Sequence, residues 1–374
     1  MPTRRNEMAN MDLNTRTIKL SELTKYAKHH FRTKRPLMVW GPPGIGKSDT
    51  FKGIKESYEA AGKRVKLIDC RLSLWEPTDL KGYPYYNQET NRMSFSAPDE
   101  LPSEAEAAEY DIIILFLDEL NGAAPATQAA AYQLILNRAI GKYRLPNNVV
   151  IAAAGNRETD KGVTYRMPKP LANRFLHYEV RVDFEDWFDW AVKHNIHPDV
   201  VGYLTTFKED LYKFDASSSE RSFATPRSWE FVSDTIQDTA DFTEEEVTDM
   251  VAAGIGEGVA LKFKAHRAVA SQLPNPTDIL NGKVKELKTD NISAKYSLTT
   301  ALCYELKEVF LNKKDDFNKQ FDNFLEFVQA NFEAEMVVMA CTVALGKYQI
   351  RPKFNQLNNW KPFVGKYGSL IEMA

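Results

Sequence analysis

Between residues 36 and 182 the chain alternates short, mostly unbroken apolar runs with longer stretches of mixed polarity. The runs Leu37–Trp40, Val65–Cys70, Ile112–Leu117, Val149–Ala153 and His177–Val182 all have strand length. A strand covered by helices on both faces must be apolar on both, so continuous runs predict a buried parallel sheet. Between them, the residues from Ser48 onward and the segment Ala124–Asn137, rich in Ala, Gln and Leu, predict helices. Residues 16–182 therefore read as one α/β domain, a doubly wound parallel sheet. Ahead of it, residues 1–15 read as a polar, flexible leader. After residue 183 the alternation stops. Phe184–His194, Pro198–Phe207, a segment opened by Pro226 and running to Ile236, and a capping-box start at Thr243 and Glu246 predict helices only. Gly254, Gly256 and Gly258 follow with no strand before them, which predicts a bend between packed helices. Residues 183–273 thus form an all-α segment, and Pro274-Asn275-Pro276 opens a helical C-terminal region over 274–374. There, Tyr296–Phe310 and Phe317–Met339 carry apolar residues three and four apart. Their aromatics Tyr304, Phe310, Phe317, Phe321, Phe324 and Phe327 predict a core and not a base-stacking platform.

Composition narrows the function classes. At 43% hydrophobic and 26% charged residues the chain is an ordinary globular one. Its net charge of −3 leaves no global electrostatic footprint for nucleic acid. No apolar run approaches the roughly 18 residues that span a bilayer, so no membrane partner is expected. Arg4 and Arg5 are not followed by an apolar signal segment. Cys70, Cys303 and Cys341 lack metal-ligand spacing, and an odd count argues against a disulfide framework. A reducing, cytoplasmic setting is the expectation.

One segment carries chemistry in its residue types alone. Gly41-Pro42-Pro43-Gly44-Ile45-Gly46-Lys47-Ser48 matches G-x-x-x-x-G-K-[ST] between an apolar run and a helix start. Strand, glycine loop and helix together aim successive backbone N–H groups and a helix N-terminus at a polyphosphate. Lys47 would neutralise the β- and γ-phosphates of ATP, and the Ser48 hydroxyl would ligate Mg²⁺. Asp49 follows in the first turn as part of the same nucleotide-binding stretch. About 70 residues on, Ile112–Leu117 ends in Asp118-Glu119, which places two carboxylates at the carboxyl edge of the sheet. Asp118 would hold the Ser48–Mg²⁺ unit through water, and Glu119 would polarise the attacking water. Val149–Asn156 is another buried strand with an amide at its tip, where Asn156 would help orient that water. Arg174, in Leu171-Ala172-Asn173-Arg174-Phe175, and Arg227, in Thr225-Pro226-Arg227-Ser228, follow in order; taken alone, each is an ordinary surface arginine.

In this order the motifs resemble those of the AAA+ ATPases, in the MoxR-like, dynein-related branch. Gly41–Ser48 stands as Walker A and Ile112–Glu119 as Walker B, and Asp118–Gln128 is similar to the branch's DEINRAPPxxQ. The resemblance spans residues 16 to about 260. It implies an ATP-hydrolysing homo-oligomeric ring, a hexamer in most relatives, with ATP between neighbours. Asn156 would then be sensor 1, Arg174 an arginine finger reaching the neighbour's γ-phosphate, and Arg227 sensor 2 on a helical lid. Whether Arg227 serves its own site or its neighbour's is left open by the branch. Residues 75–102 look like the branch's insert, and Tyr83–Ser96 reads as a hairpin with a polar turn at Asn87–Asn91. Its Tyr83, Tyr85, Tyr86 and Phe95 would either grip a polypeptide in the pore or pack on the ring. Two departures stand out: Gly122 replaces the usual Arg of the branch motif, and the region after 275 matches no known module.

The implied function is an ATP-driven chaperone that remodels a protein complex, in this branch often one with a von Willebrand A partner. The alternative is a nucleic-acid-associated AAA+ motor or loader, which the charge balance disfavours. A third reading, a nucleotide switch that hydrolyses little, would not need Glu119, Asn156 and Arg174 together.

Overall fold

The computed structural model describes residues 17–96, 98–160, 164–270, 272–312 and 316–371. The expected leader over 1–15 lies outside them. The chain divides into two compact units, Met1–Asp183 and Phe184–Ala374.

Strands occur only in the first unit among the described residues. They are β1 (Thr17–Ile18), β2 (Leu37–Trp40), β3 (Val65–Arg71), β4 (Pro84–Asn87), β5 (Arg92–Phe95), β6 (Ile112–Asp118), β7 (Ala139–Ile140), β8 (Tyr143–Arg144), β9 (Val149–Gly155) and β10 (Leu176–Val180). Six of them form one parallel sheet in the order β1-β10-β2-β9-β6-β3. Its central strands are buried along nearly their whole length, and Ile113–Leu117 and Val149–Gly155 are covered on both faces. Each such Leu, Ile or Val contributes about 1.5–3 kcal/mol by leaving water.

The strand order sets the position of the site. From β2 the chain crosses to the far edge at β3, then returns through β6 and β9 before passing beyond β2 to β10. The connections leaving neighbouring β2 and β9 therefore diverge. That divergence opens a crevice at the carboxyl ends of the two strands, the standard ligand position in such sheets. The helix Lys47–Glu59 follows β2 and packs on the sheet through Phe51, whose ring lies 4.4 Å from that of Phe116 on β6.

β4 and β5 pair antiparallel, Tyr85 opposite Ser94 and Tyr86 opposite Met93. This is the hairpin expected at Tyr83–Ser96. Ser94 is buried and accepts a hydrogen bond from Lys142 Nζ at 3.1 Å, in the turn between β7 and β8. Tyr83, Tyr85, Tyr86, Met93 and Phe95 remain exposed.

Among the described residues, the regular elements of the second unit are all helices. Tyr203, Trp229 and Phe263 are fully buried and meet at centroid distances of 5.4 and 5.5 Å. Beside them the buried Asp210 carboxylate accepts from Tyr203 Oη at 2.6 Å, with Lys213 and Lys262 each 3.4 Å away. Gly256, at φ 85° and ψ 151°, turns the chain between the helices Glu244–Ile255 and Glu257–Ala270, so the glycine cluster is a helix bend. Phe317, Phe321, Phe324 and Phe327 are buried, as a core face requires. The continuous helix expected over Phe317–Met339 is instead two, Phe317–Asn331 and Ala334–Cys341. Phe332 and Glu333 between them are extended, and Phe332 packs edge-on against Phe327 at 5.8 Å. Burying that ring requires a break which the three-four spacing conceals.

Candidate functional site

The loop between β2 and the helix Lys47–Glu59 is shaped by its glycines. Gly44 and Gly46 sit at φ 74° and 90°, the left-handed region that costs glycine nothing. The loop ends at the N-terminus of the helix, whose first N–H groups have no intrahelical acceptor. Lys47 Nζ donates to the carbonyl oxygens of Gly41 and Pro42, each at 2.8 Å, and to Asn156 Oδ1 at 3.1 Å. Lys47 and the Asn156 amide are therefore joined directly across the β2–β9 crevice.

Ser48 Oγ donates to Asp118 Oδ2 at 2.7 Å, so the two expected magnesium-holding groups are in contact. The packing of Phe51 on Phe116 explains why. It clamps the helix one turn beyond Ser48 against the strand two residues before Asp118. The other carboxylate oxygen of Asp118 accepts from the backbone N–H of Glu119 at 2.9 Å. Glu119 itself lies at φ 53°, an uncommon conformation for a side chain other than Asn or Asp. Backbone strain of this kind collects at functional sites. Its carboxylate accepts a hydrogen bond from Ser73 Oγ, just beyond the end of β3. Glu119 and Asn156 thus belong to one crevice but hold different partners, Ser73 and Lys47.

Three contributors have roles that the sequence did not assign. Ser73 is one. Asp69 is another: in register it sits on β3 opposite Phe116, two residues before the Arg71–Asp118 pair, so it shares a sheet face with Asp118. Loss of hydration, and secondarily the Asp118 charge, holds its carboxyl above the usual carboxylate range. The third is Asn121, which is buried and donates from Nδ2 to the backbone oxygen of Asn156 at 2.7 Å. A hydroxyl just past a strand looks like any other turn residue until strand order brings it to the crevice, and Asn121, although it falls in the Asp118–Gln128 motif, has a partner that the motif does not name.

The arginines are placed less tightly. Arg174 is exposed, between the short helix Lys169–Ala172 and β10. Arg227 is exposed in the first turn of the helix Pro226–Thr235, in the second unit. That turn is fixed by a reciprocal cap, Ser228 N to Thr225 Oγ1 at 3.0 Å and Thr225 N to Ser228 Oγ at 2.8 Å. Arg157, next to Asn156, is committed elsewhere: it donates to Asp160 at 2.9 Å and to Glu179 at 3.1 Å.

No family model matches the chain, and no curated protein matches it. Solved structures similar to it include a RuvB mutant from Thermotoga maritima at 14% identity, over 94% of this chain and 89% of that one, with a TM-score of 0.32. A second Thermotoga maritima RuvB mutant aligns at 16% identity over 68% of this chain and 73% of that one, TM-score 0.34. NtrX from Brucella abortus in complex with ADP aligns at 15% identity over 77% and 64%, TM-score 0.36. Likenesses with TM-scores this low carry no argument about what this chain does.

Proposed function

We propose that this chain is a magnesium-dependent ATPase of the AAA+ type, acting as a MoxR-like ring that remodels a protein complex. The observation that carries the reading is the joined set Lys47–Asn156 and Ser48–Asp118 at the mouth of the β2–β9 crevice. A polyphosphate needs backbone N–H donors, a lysine and a helix N-terminus converging on one point, and the loop Gly41–Ser48 with the helix behind it supplies all three. Ser48 and Asp118 are hard oxygen donors of the kind Mg²⁺ takes, with water completing the set. The ion would offset charge on the phosphates. Glu119 would take the proton of the attacking water, Asn156 would orient that water, and Ser73 holds the Glu119 carboxylate before substrate arrives. Arg174 would complete a neighbouring subunit's site, and Arg227 would act from the lid.

The client reading rests on the β4–β5 hairpin. One of its faces presents Pro84, Tyr86, Met93 and Phe95 outward, while Ser94 on the other is buried and tied to Lys142. A protein client, with a von Willebrand A protein as the branch precedent, suits that surface better than nucleic acid does. Base stacking would call for basic residues interleaved with the aromatics, and among 83–96 only Arg92 is basic.

The test is Glu119→Gln. It keeps shape and removes the base, so ATP should bind while turnover falls about 10²- to 10⁴-fold. Measured by phosphate release and by binding of a fluorescent ATP analogue, near-normal turnover would refute the assignment.

A further inference from the structure

We propose that Asn121 is a positioning residue of this site: it fixes the peptide that carries Asn156 and thereby sets where the Asn156 carboxamide stands against Lys47. The inference rests on the ATP-hydrolysis reading and assigns a role to a residue of the Asp118–Gln128 stretch that the sequence left without one.

Three loops meet at one point. Gly41 N, at the start of the phosphate loop, donates to Gly155 O at 3.3 Å. Asn121, in the loop after β6, donates from Nδ2 to Asn156 O at 2.7 Å. Asn156 Oδ1 in turn accepts from Lys47 Nζ at 3.1 Å. Gly155 is the contact surface between these loops. A Cβ there would lie 2.3 Å from Asn121 Oδ1 and 2.7 Å from Met38 Cε, so the Asn121 amide occupies the space a side chain would need. Asn121 is itself only 2% exposed. Its own backbone is held: its oxygen accepts from Tyr165 N at 2.6 Å. Gln128 Nε2 supports the same loop by donating to Ala123 O at 3.0 Å.

The physical consequence follows from what a buried amide can and cannot do. Removing the Asn121 donor leaves Asn156 O without its partner in a water-poor place, and that penalty favours rotation of the 156 peptide toward another donor. Rotation carries the side-chain amide with it, because the carboxamide hangs from the same residue. A misplacement of about 1 Å near reacting atoms costs on the order of 10²-fold. Asn121 also belongs to the loop that begins at Glu119, so its bond makes the two water-handling loops a single unit.

The experiment is a kinetic cycle on the full chain with Asn121→Leu, Asn121→Asp and Asn156→Ala, alone and combined. Asn121→Asp keeps the shape and deletes the donor, and it serves if the leucine variant fails to fold. We expect kcat for ATP to fall about ten- to a hundredfold with KM changed by less than about threefold. We also expect Asn121→Asp on an Asn156→Ala background to cost almost nothing further, because there is then no carboxamide to place. Additive losses, or a fall seen only in KM, would overturn the proposal and leave Asn121 a packing residue. Wild-type turnover that does not respond to Glu119→Gln would instead overturn the ATPase reading, and the positioning role with it.

Discussion

Lys47 illustrates how a side chain can be readable in sequence and still surprise in its contacts. Its place after the third glycine is dictated by covalent spacing, so the motif alone locates it. Its ammonium is turned back onto Gly41 O and Pro42 O and toward Asn156, so the proposed nucleotide would have to redirect a group already satisfied. A lysine that exchanges three protein acceptors for phosphate oxygens returns only the difference, and charge-assisted bonds of this kind are worth about 1.5–3 kcal/mol. Lys47→Ala should therefore weaken ATP binding roughly ten- to a hundredfold, measured by titration of a fluorescent analogue. Unchanged affinity would remove the phosphate-loop assignment. The contacts of Ser73, Asp69 and Asn121 were illegible at this scale for a different reason, even though Asn121 falls in the Asp118–Gln128 motif. Ser73 lies 46 residues from Glu119 and Asn121 lies 35 from Asn156, and nothing local marks a polar residue whose partner arrives through strand order.

Elements were legible in proportion to how much apolar surface they bury. β2, β6 and β9 are legible because both their faces are covered, which leaves an unbroken apolar run. β3 and β10, interrupted by Lys66, Asp69, His177 and Glu179, are legible only as largely apolar stretches of strand length. β1, β7 and β8, of two residues each, carry no periodicity and could not be found that way. The split between Phe317–Asn331 and Ala334–Cys341 was hidden because the apolar spacing continues across the break. The β4–β5 hairpin was visible through its aromatics and its Asn-rich turn, yet its use is decided by exposure. Tyr85 and Tyr86 are 47% and 56% exposed, so neither is core. Rigid aromatic side chains give large contact area at low entropic cost, which suits gripping varied polypeptide segments. The double variant Tyr85→Ala with Tyr86→Ala should keep basal turnover within about twofold, as surface substitutions do. It should lose stimulation by an unfolded polypeptide such as casein. Rate against added casein, with particle size followed by light scattering, measures both. Loss of assembly or of basal turnover would show that these tyrosines support the protein and do not grip a client.

At the scale of the whole molecule the sequence was least informative, because Arg174 and Arg227 acquire meaning only from what they face. Arg174 is exposed on the first unit and Arg227 on the second. An exposed arginine beside β10 can serve ATP hydrolysis if a second copy presents its crevice to it, and a head-to-tail contact of this kind closes into a ring. An arginine finger stabilises charge that develops in the transition state and is worth about 10³–10⁵ in rate. Arg174→Ala should then abolish most turnover while leaving ATP binding nearly intact. Glu119→Gln should look the same in isolation. Mixed, the two behave differently from either. An interface is whole when an Arg174→Ala subunit supplies Glu119 and its Glu119→Gln neighbour supplies Arg174. In a random equal mixture about a quarter of interfaces meet that condition whatever the ring size. Turnover should therefore recover toward about a quarter of wild type if sites fire independently, and to less if they are coupled around the ring. Phosphate release after subunit exchange, with exchange followed by energy transfer between labelled chains, gives the answer. A mixture that exchanges freely yet stays inactive would place Arg174 in its own subunit's site, or in none.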